Sequence, residues 1–354
     1  MKRMRAAKLS ALVLLPMAFM VAGNALAQET SNAIQLEVKG DDVAAATAMT
    51  SAVRYHLLLT PQARAKGISA DSPNVRFKQR AHPALTITSL PSPPANSFYY
   101  PDDMEKVAST GKTITSAASH PIYINCATPA TCWGSPATLL QHLGASNMIH
   151  LVDQYTGSTA NNRYTVGASV NATMTIYAGT TGVPTLGEND ILGVVHAAAK
   201  NIGTGYSHIY HVFIPKGVDT CMDEGLCYSP DNPNTFQFCG YHFTVKFADL
   251  ASPVYYTVEP FQGPMAAPAQ NFCTIPFATV NGALVDSTAT VLLHETFETI
   301  TDPDINTGYR AVNSDFGEVG DVCEGFLFQV TLNAKAYDVQ SIYSDHYEAC
   351  ATTP

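Results

Sequence analysis

Apolar and polar residues alternate over residues 34–38 (Ile-Gln-Leu-Glu-Val), the period of a half-buried strand. The pattern then changes. Residues 42–59, entered through Asp41 and Asp42, run into alanine-rich sequence, which predicts a helix. From Pro91 to Ser119, prolines, serines and threonines follow without a sustained period and read as extended linker. From Pro121 the pattern tightens. Strands are expected at 121–125, 163–177, 208–214, 241–247, 253–258, 326–332 and 336–343. Helices are expected at 135–153, 189–200 and 286–300, the last capped by Asp286 or Ser287. Strands alternating with helices and closing on adjacent strands predict an α/β fold, with α+β as the alternative: a mixed β-sheet flanked by helices. No internal repeat is visible.

The first residues follow a different logic. Lys2, Arg3, Arg5 and Lys8 precede an apolar run from Leu9 to Gly23, and Ala25-Leu26-Ala27 supplies a small-x-small step. That order is the order of a secretory signal peptide. The run is shorter than the roughly 20 apolar residues that span a bilayer, and no later run is long enough. The expectation is a secreted or periplasmic protein with no membrane span once 1–27 is removed. Residues 28–120, which contain no cysteine, read as an N-terminal arm, spacer or pro-segment, and residues 121–354 as the principal domain. Removing 1–27 takes away four basic residues and no acidic ones, moving the formal charge from −10 to −14. Such a surface repels phosphate backbones, so nucleic acid is excluded as a partner.

Eight cysteines (Cys126, Cys132, Cys221, Cys227, Cys239, Cys273, Cys323 and Cys350) lie beyond the leader. An even count in an exported chain predicts disulfides that stabilise the fold. Eight cysteines allow 105 pairings. Proximity favours Cys126–Cys132 and Cys221–Cys227, leaving Cys239–Cys273 and Cys323–Cys350 as longer closures. A cysteine-ligated zinc site is disfavoured because no C-x-x-C pair occurs.

The segment that carries chemistry is His294-Glu295-Thr296-Phe297-Glu298, an H-E-x-x-E motif within the predicted helix 286–300. Positions four apart share a helix face, so His294 and Glu298 can reach one metal ion. Glu295 is turned by about 100° from His294, where it can act as general base on a metal-bound water. The related H-E-x-x-H motif binds zinc in this way. A third ligand must come from elsewhere, and Glu318 is preferred, with Asp321 and Asp302 behind it. His242, beside Cys239, is a possible accessory. The competing reading is a plain ion pair between His294 and Glu298, worth a few tenths of a kcal/mol. Zinc is preferred to calcium, because the loop that begins Asp302–Gly308 lacks an EF-hand's glycine at position six and its glutamate at position twelve. No nucleophile elbow and no phosphate-binding glycine loop is present.

The motif order carries a resemblance. Cys239-Gly240-Tyr241-His242, Cys273-Thr274-Ile275-Pro276-Phe277, the H-E-x-x-E helix, Asp302-Pro303 and Glu318-Val319-Gly320-Asp321-Val322-Cys323-Glu324-Gly325 follow one another. In that order they resemble the EXORDIUM, or phosphate-induced protein, family of extracellular proteins. The likeness covers about residues 200–354, and 121–200 in pattern alone. It implies an extracellular or cell-wall setting and no defined activity, with His242, His294, Glu295, Glu298, Glu318 and Asp321 as the shared polar positions. Thr296-Phe297 stands where the family has Leu-Ala, a departure that leaves the proposed ligands intact. The leading functional expectation is a zinc-dependent, peptidase-like hydrolase acting on a peptide or cell-envelope substrate. The alternative is a non-catalytic extracellular binding or signalling protein with a structural metal or acidic cluster. A carbohydrate-active protein ranks last, since only Trp133 is a tryptophan for sugar stacking.

Overall fold

In the computed structural model the described residues are 33–40, 43–44, 54–71, 92, 94–100, 102–222, 225–232, 234–264, 273–277, 279–312 and 317–354. The leader-like segment 1–27 lies outside them, whereas nearly all of the predicted linker 91–119 lies within them and contains short strands.

The chain folds around one mixed sheet of eight strands. These are β1 (Ile34–Glu37), β2 (Arg54–Leu59), β3 (Ala117–Ile124), β4 (Tyr164–Val166), β5 (Val170–Thr173), β6 (His208–Phe213), β7 (Phe238–Val245) and β8 (Val254–Glu259). Their order is β1-β5-β3-β6-β8-β7-β2, with β4 alongside β3. Pairing is parallel from β1 to β8 and antiparallel for β8–β7 and β7–β2. The helices are α1 (Pro61–Ala65), α2 (Pro136–Gly144), α3 (Glu188–Ile202) and α4 (Ala283–Thr301), with two further short turns of helix at Pro129–Trp133 and Asp153–Thr156. This is the disulfide-stabilised α/β fold that the sequence predicts, with the sheet covered on both faces as parallel pairing requires.

Side chains along each strand alternate between two cores. Ile122, Ile124, Tyr210, Val212, Tyr256 and Val258 pack with Ile191, Leu192, Val195 and Ala198 of α3. Tyr123, Ile209, Phe213 and Tyr255 pack on the other face with Ala289, Leu292, Leu293, Phe297 and Ile300 of α4. A hairpin, β9 (Leu327–Leu332) and β10 (Lys335–Gln340), lies against α4.

Three sequence expectations need correction. Residues 54–59 are a strand and not the end of a helix; Tyr55, Leu57 and Leu59 alternate into one core, and Pro61 opens α1 behind them. The N-cap of α4 is Gly282 and not Asp286 or Ser287; Asp286 is inside the first turn, where its carboxylate accepts the Asn281 backbone N–H at 2.7 Å. Nor do the described parts of 28–120 form a separate arm or spacer. β1 and β2 are the two edges of the central sheet, Phe98–Tyr99 pairs with Ala349–Ala351, and Met104–Lys106 pairs with Tyr309–Ala311. The boundary expected at Pro121 falls inside β3. Removing 28–120 as a pro-segment would strip two edges and, as shown below, part of the candidate site.

The four disulfides are the two proximal pairs, Cys126–Cys132 and Cys221–Cys227, and the two longer closures, Cys239–Cys273 and Cys323–Cys350. No helix among the described residues is long and apolar enough to cross a membrane.

Asp345 fastens the N-terminal section to the C-terminal strands by accepting the Met104 N–H at 2.9 Å. Burial, reinforced by Asp103, Asp102 and Glu348, pushes its carboxyl up to about 7. The native state therefore holds this proton more tightly than the unfolded chain does. Its contribution is fully present below the unfolded pKa and is lost as pH rises toward 7, by on the order of a few kcal/mol. Asp345→Asn keeps the acceptor and removes the ionisation. Urea midpoints at pH 4.5 and 8 should converge in this variant relative to the wild type. An identical pH dependence in both proteins would refute the assignment.

Candidate functional site

Four neighbouring strands place polar residues in one register on the face beneath α4. His56 of β2 is opposite His242 of β7, His242 is opposite Thr257 of β8, and Thr257 is opposite His211 of β6. All four are buried. From above, α4 lowers His294, Glu295 and Glu298 onto this row, and the loop after Gly317 brings Glu318 and Asp321. These five are at most 1 % exposed. Nearly every position of α4 is buried, so its polar side chains must find partners inside the protein.

Part of this cluster is fully paired. His56 Nδ1 lies 2.8 Å from Asp71 Oδ1 and its Nε2 lies 2.7 Å from Asp321 Oδ2. Two carboxylates on opposite ring nitrogens require an imidazolium. Burial alone would lower the His56 pKa, but Asp321, Glu318 and Asp71 outweigh it and hold the pKa well above the ordinary value. Asp321 is held well below the usual carboxylate range: burial opposes ionisation, and His56, His294 and Arg64 overcome it. Arg310, nearly buried, donates to both oxygens of Asp71 and to Glu318 Oε1, each at 3.1 Å.

The other part is unpaired. Neither ring nitrogen of His242 makes a hydrogen bond. Its Nδ1 faces Glu295 Oε2 at 3.4 Å and Glu298 Oε2 at 3.6 Å, and its Nε2 faces Glu318 Oε2 at 3.6 Å. Both oxygens of Glu295, Glu298 Oε2 and Glu318 Oε2 also lack hydrogen bonds. Burial pushes the Glu295 carboxyl well above its ordinary pKa, and Glu298 and Glu259 add to the effect. Burial likewise raises Glu318 and lowers His242. Unsatisfied buried polar groups each cost about 1–3 kcal/mol, and here they converge. Three groupings bring potential ligand atoms within 4.8 Å of one another: His242 with Glu298 and Glu318, His294 with Glu295 and Glu298, and His56 with Glu298 and Asp321.

Two glycines permit this closeness. A Cβ on Gly240 would meet Glu295 Oε1 at 2.8 Å, and one on Gly320 would meet His294 Nδ1 at 2.7 Å and Glu298 Oε1 at 2.8 Å. With no side chain there, the Gly320 and Asp321 N–H groups donate to Glu298 Oε1 at 3.2 and 3.1 Å. Disulfides anchor both approaches, Cys239–Cys273 beside His242 and Cys323–Cys350 beside Asp321.

The structure thus brings together His242, His294, Glu295, Glu298, Glu318 and Asp321. Asp302 is elsewhere in role: its carboxylate accepts the N–H groups of Asn306, Thr307 and Gly308, fixing the loop after α4, and it belongs to no ligand grouping. His196 pairs with Asp249 at 2.8 Å and His208 with His120 at 3.0 Å, away from the cluster. Sequence reasoning missed His56, Asp71, Arg310 and Gln340. The alternation Tyr55-His56-Leu57 is a strand signal that would have placed His56 on the face opposite the apolar residues. No protein-family model, curated protein or solved structure matches this chain.

Proposed function

We propose that this chain is an exported metalloprotein whose buried cluster holds one divalent ion, zinc by preference, and serves a peptidase-like hydrolytic function. The supporting observation is His242: a fully buried imidazole with two unsatisfied nitrogens, ringed by three carboxylates at 3.4–3.6 Å. Those separations are too long for good hydrogen bonds, and the two on the Nδ1 side, to Glu295 and Glu298, suit ligand atoms that share a cation. When bound, such an ion lowers the pKa of a water and polarises a carbonyl. Calcium fits less well, since it takes 6–8 oxygen ligands. The four disulfides suit an oxidising compartment. Together with the basic–apolar–small leader and the EXORDIUM-like motif order, they support an extracellular or periplasmic setting.

Complete burial favours a second reading, a structural ion in a binding or signalling protein. The decisive measurement combines metal content, thermal unfolding with and without chelator, and a broad peptide-hydrolysis screen on the disulfide-intact mature protein. About one zinc per chain, with the unfolding midpoint falling by several degrees in chelator, is expected. A metal-free protein with unchanged unfolding in chelator sinks both readings, and bound metal without turnover selects the structural one.

A further inference from the structure

We infer that the ion's ligands are His242, Glu295 and Glu298, and that His294 and Glu318 are positioning residues outside the coordination sphere. This rests on the metal reading above and changes its chemistry, because it makes the motif's first glutamate a ligand and not a base.

The carboxylate oxygens differ in what they already bind. Glu298 Oε1 is taken by two backbone N–H groups, which leaves Oε2, the oxygen 3.6 Å from His242 Nδ1. Glu295 Oε2 is 3.4 Å from the same nitrogen. Zinc bonds of 2.0–2.2 Å place neighbouring ligand atoms of a tetrahedron about 3.3–3.6 Å apart. Both separations fall in that window. Glu295 and Glu298 are three apart on α4 and so share a face, while His242 approaches from the sheet.

His294 is excluded by its neighbour. Gln340 Nε2 lies 2.7 Å from the Gly320 carbonyl and 2.9 Å from His294 Nδ1. Turning the amide over would set its oxygen against the Gly320 carbonyl, so the amide nitrogen donates to both. His294 Nδ1 is then an acceptor, and the proton sits on Nε2, 3.1 Å from Glu298 Oε1. A protonated Nε2 has no lone pair for a metal. The neutral ring instead turns its Nε2–H side toward Glu298 Oε1 at 3.1 Å, a contact outside hydrogen-bond geometry that confines the Glu298 carboxylate by packing and dipole. Glu318 plays the corresponding part for His242: its Oε2 faces Nε2, and Arg310 pins its other oxygen. A carboxylate behind a ligating histidine fixes which nitrogen meets the metal. Asp321, committed to His56, Arg64 and the Glu318 N–H, has no oxygen to spare. One imidazole and two carboxylates leave a fourth position open, the arrangement of a reactive rather than a closed zinc site.

Glu295→Gln separates the assignments. As a ligand change it should weaken zinc binding at least 100-fold; as a loss of base it would leave affinity unchanged, and that result overturns the inference. His294→Gln should retain stoichiometric zinc with affinity reduced by roughly 10–100-fold, as expected outside the coordination sphere. His242→Ala should abolish stoichiometric binding. Because that variant removes a core ring, a wild-type measurement stands beside it. Nitrogen-15 spectra of the histidines in the zinc-loaded protein should show one imidazole bound through Nδ1 with a proton on Nε2. Binding through Nε2 overturns the assignment while leaving the metal reading intact. A wild type that takes up no zinc ends both.

Discussion

Replacing His56 with alanine is expected to lower the unfolding free energy by about 3–5 kcal/mol, the cost of leaving buried charges without their partner. The size follows from position. Asp321 is at most 1 % exposed and Asp71 is largely buried, and each sends an oxygen to a nitrogen of the same ring. Without the imidazolium, Asp321 keeps the Glu318 N–H and a 3.4 Å contact with the partly exposed Arg64, and Asp71 keeps Arg310. Neither set replaces a cation lodged between them. His56→Ala and Asp321→Asn, combined in a double-mutant cycle followed by urea unfolding, should show a coupling well above 1 kcal/mol. A coupling near zero would mean that the pair is not a stabilising unit.

The second large effect is expected at Cys323–Cys350. Replacing both cysteines with alanine opens a closure of 27 residues, which the chain-entropy relation values at about 3.5 kcal/mol. Removing Cys126–Cys132, whose separation is 6, should cost about 2 kcal/mol by the same relation. The two pairs also differ in reach. Cys323 ends the turn Asp321–Cys323, so its loss should loosen Glu318 and weaken zinc binding along with stability. Cys126–Cys132 brackets the helical turn Pro129–Trp133, which supplies no residue to the cluster, and its variant should bind metal as the wild type does. Equal effects of both variants on metal affinity would dissociate the Cys323 disulfide from the site.

Much of the fold is legible in the sequence because its signals are local. The 286–300 helix declares itself through its period, and the strands at 208–214 and 253–258 through continuous β-branched and aromatic residues, as expected for strands covered on both faces. The candidate site is only half legible. His294, Glu295 and Glu298 are close along the chain, and Glu318 and Asp321 follow in a compact glycine-bearing loop. His56 leaves no such mark, since its place depends on β2 pairing with β7 in a register that brings it opposite His242. Ligand identity is more remote still. The distinction between His294 and His242 turns on Gln340, on a different element, and on which of two oxygens of Glu298 meets a pair of backbone amides. Motif spacing records which residues can face one another. It does not record which of their lone pairs are already occupied.

The two edges of the central sheet form late. β1 and β2 come first in the chain, yet their partners β5 and β7 come much later: Ile34 pairs with Val170 and His56 with His242. Contacts between distant parts of a chain form slowly, because the loop between them must close first. Until β1 and β2 dock, β5 and β7 are open edges with unpaired backbone groups, a template for any strand that arrives. A second copy of this chain carries strands of the same sequence. The interval before the first strands come home is therefore when this protein is most exposed to exchanging them with a neighbour.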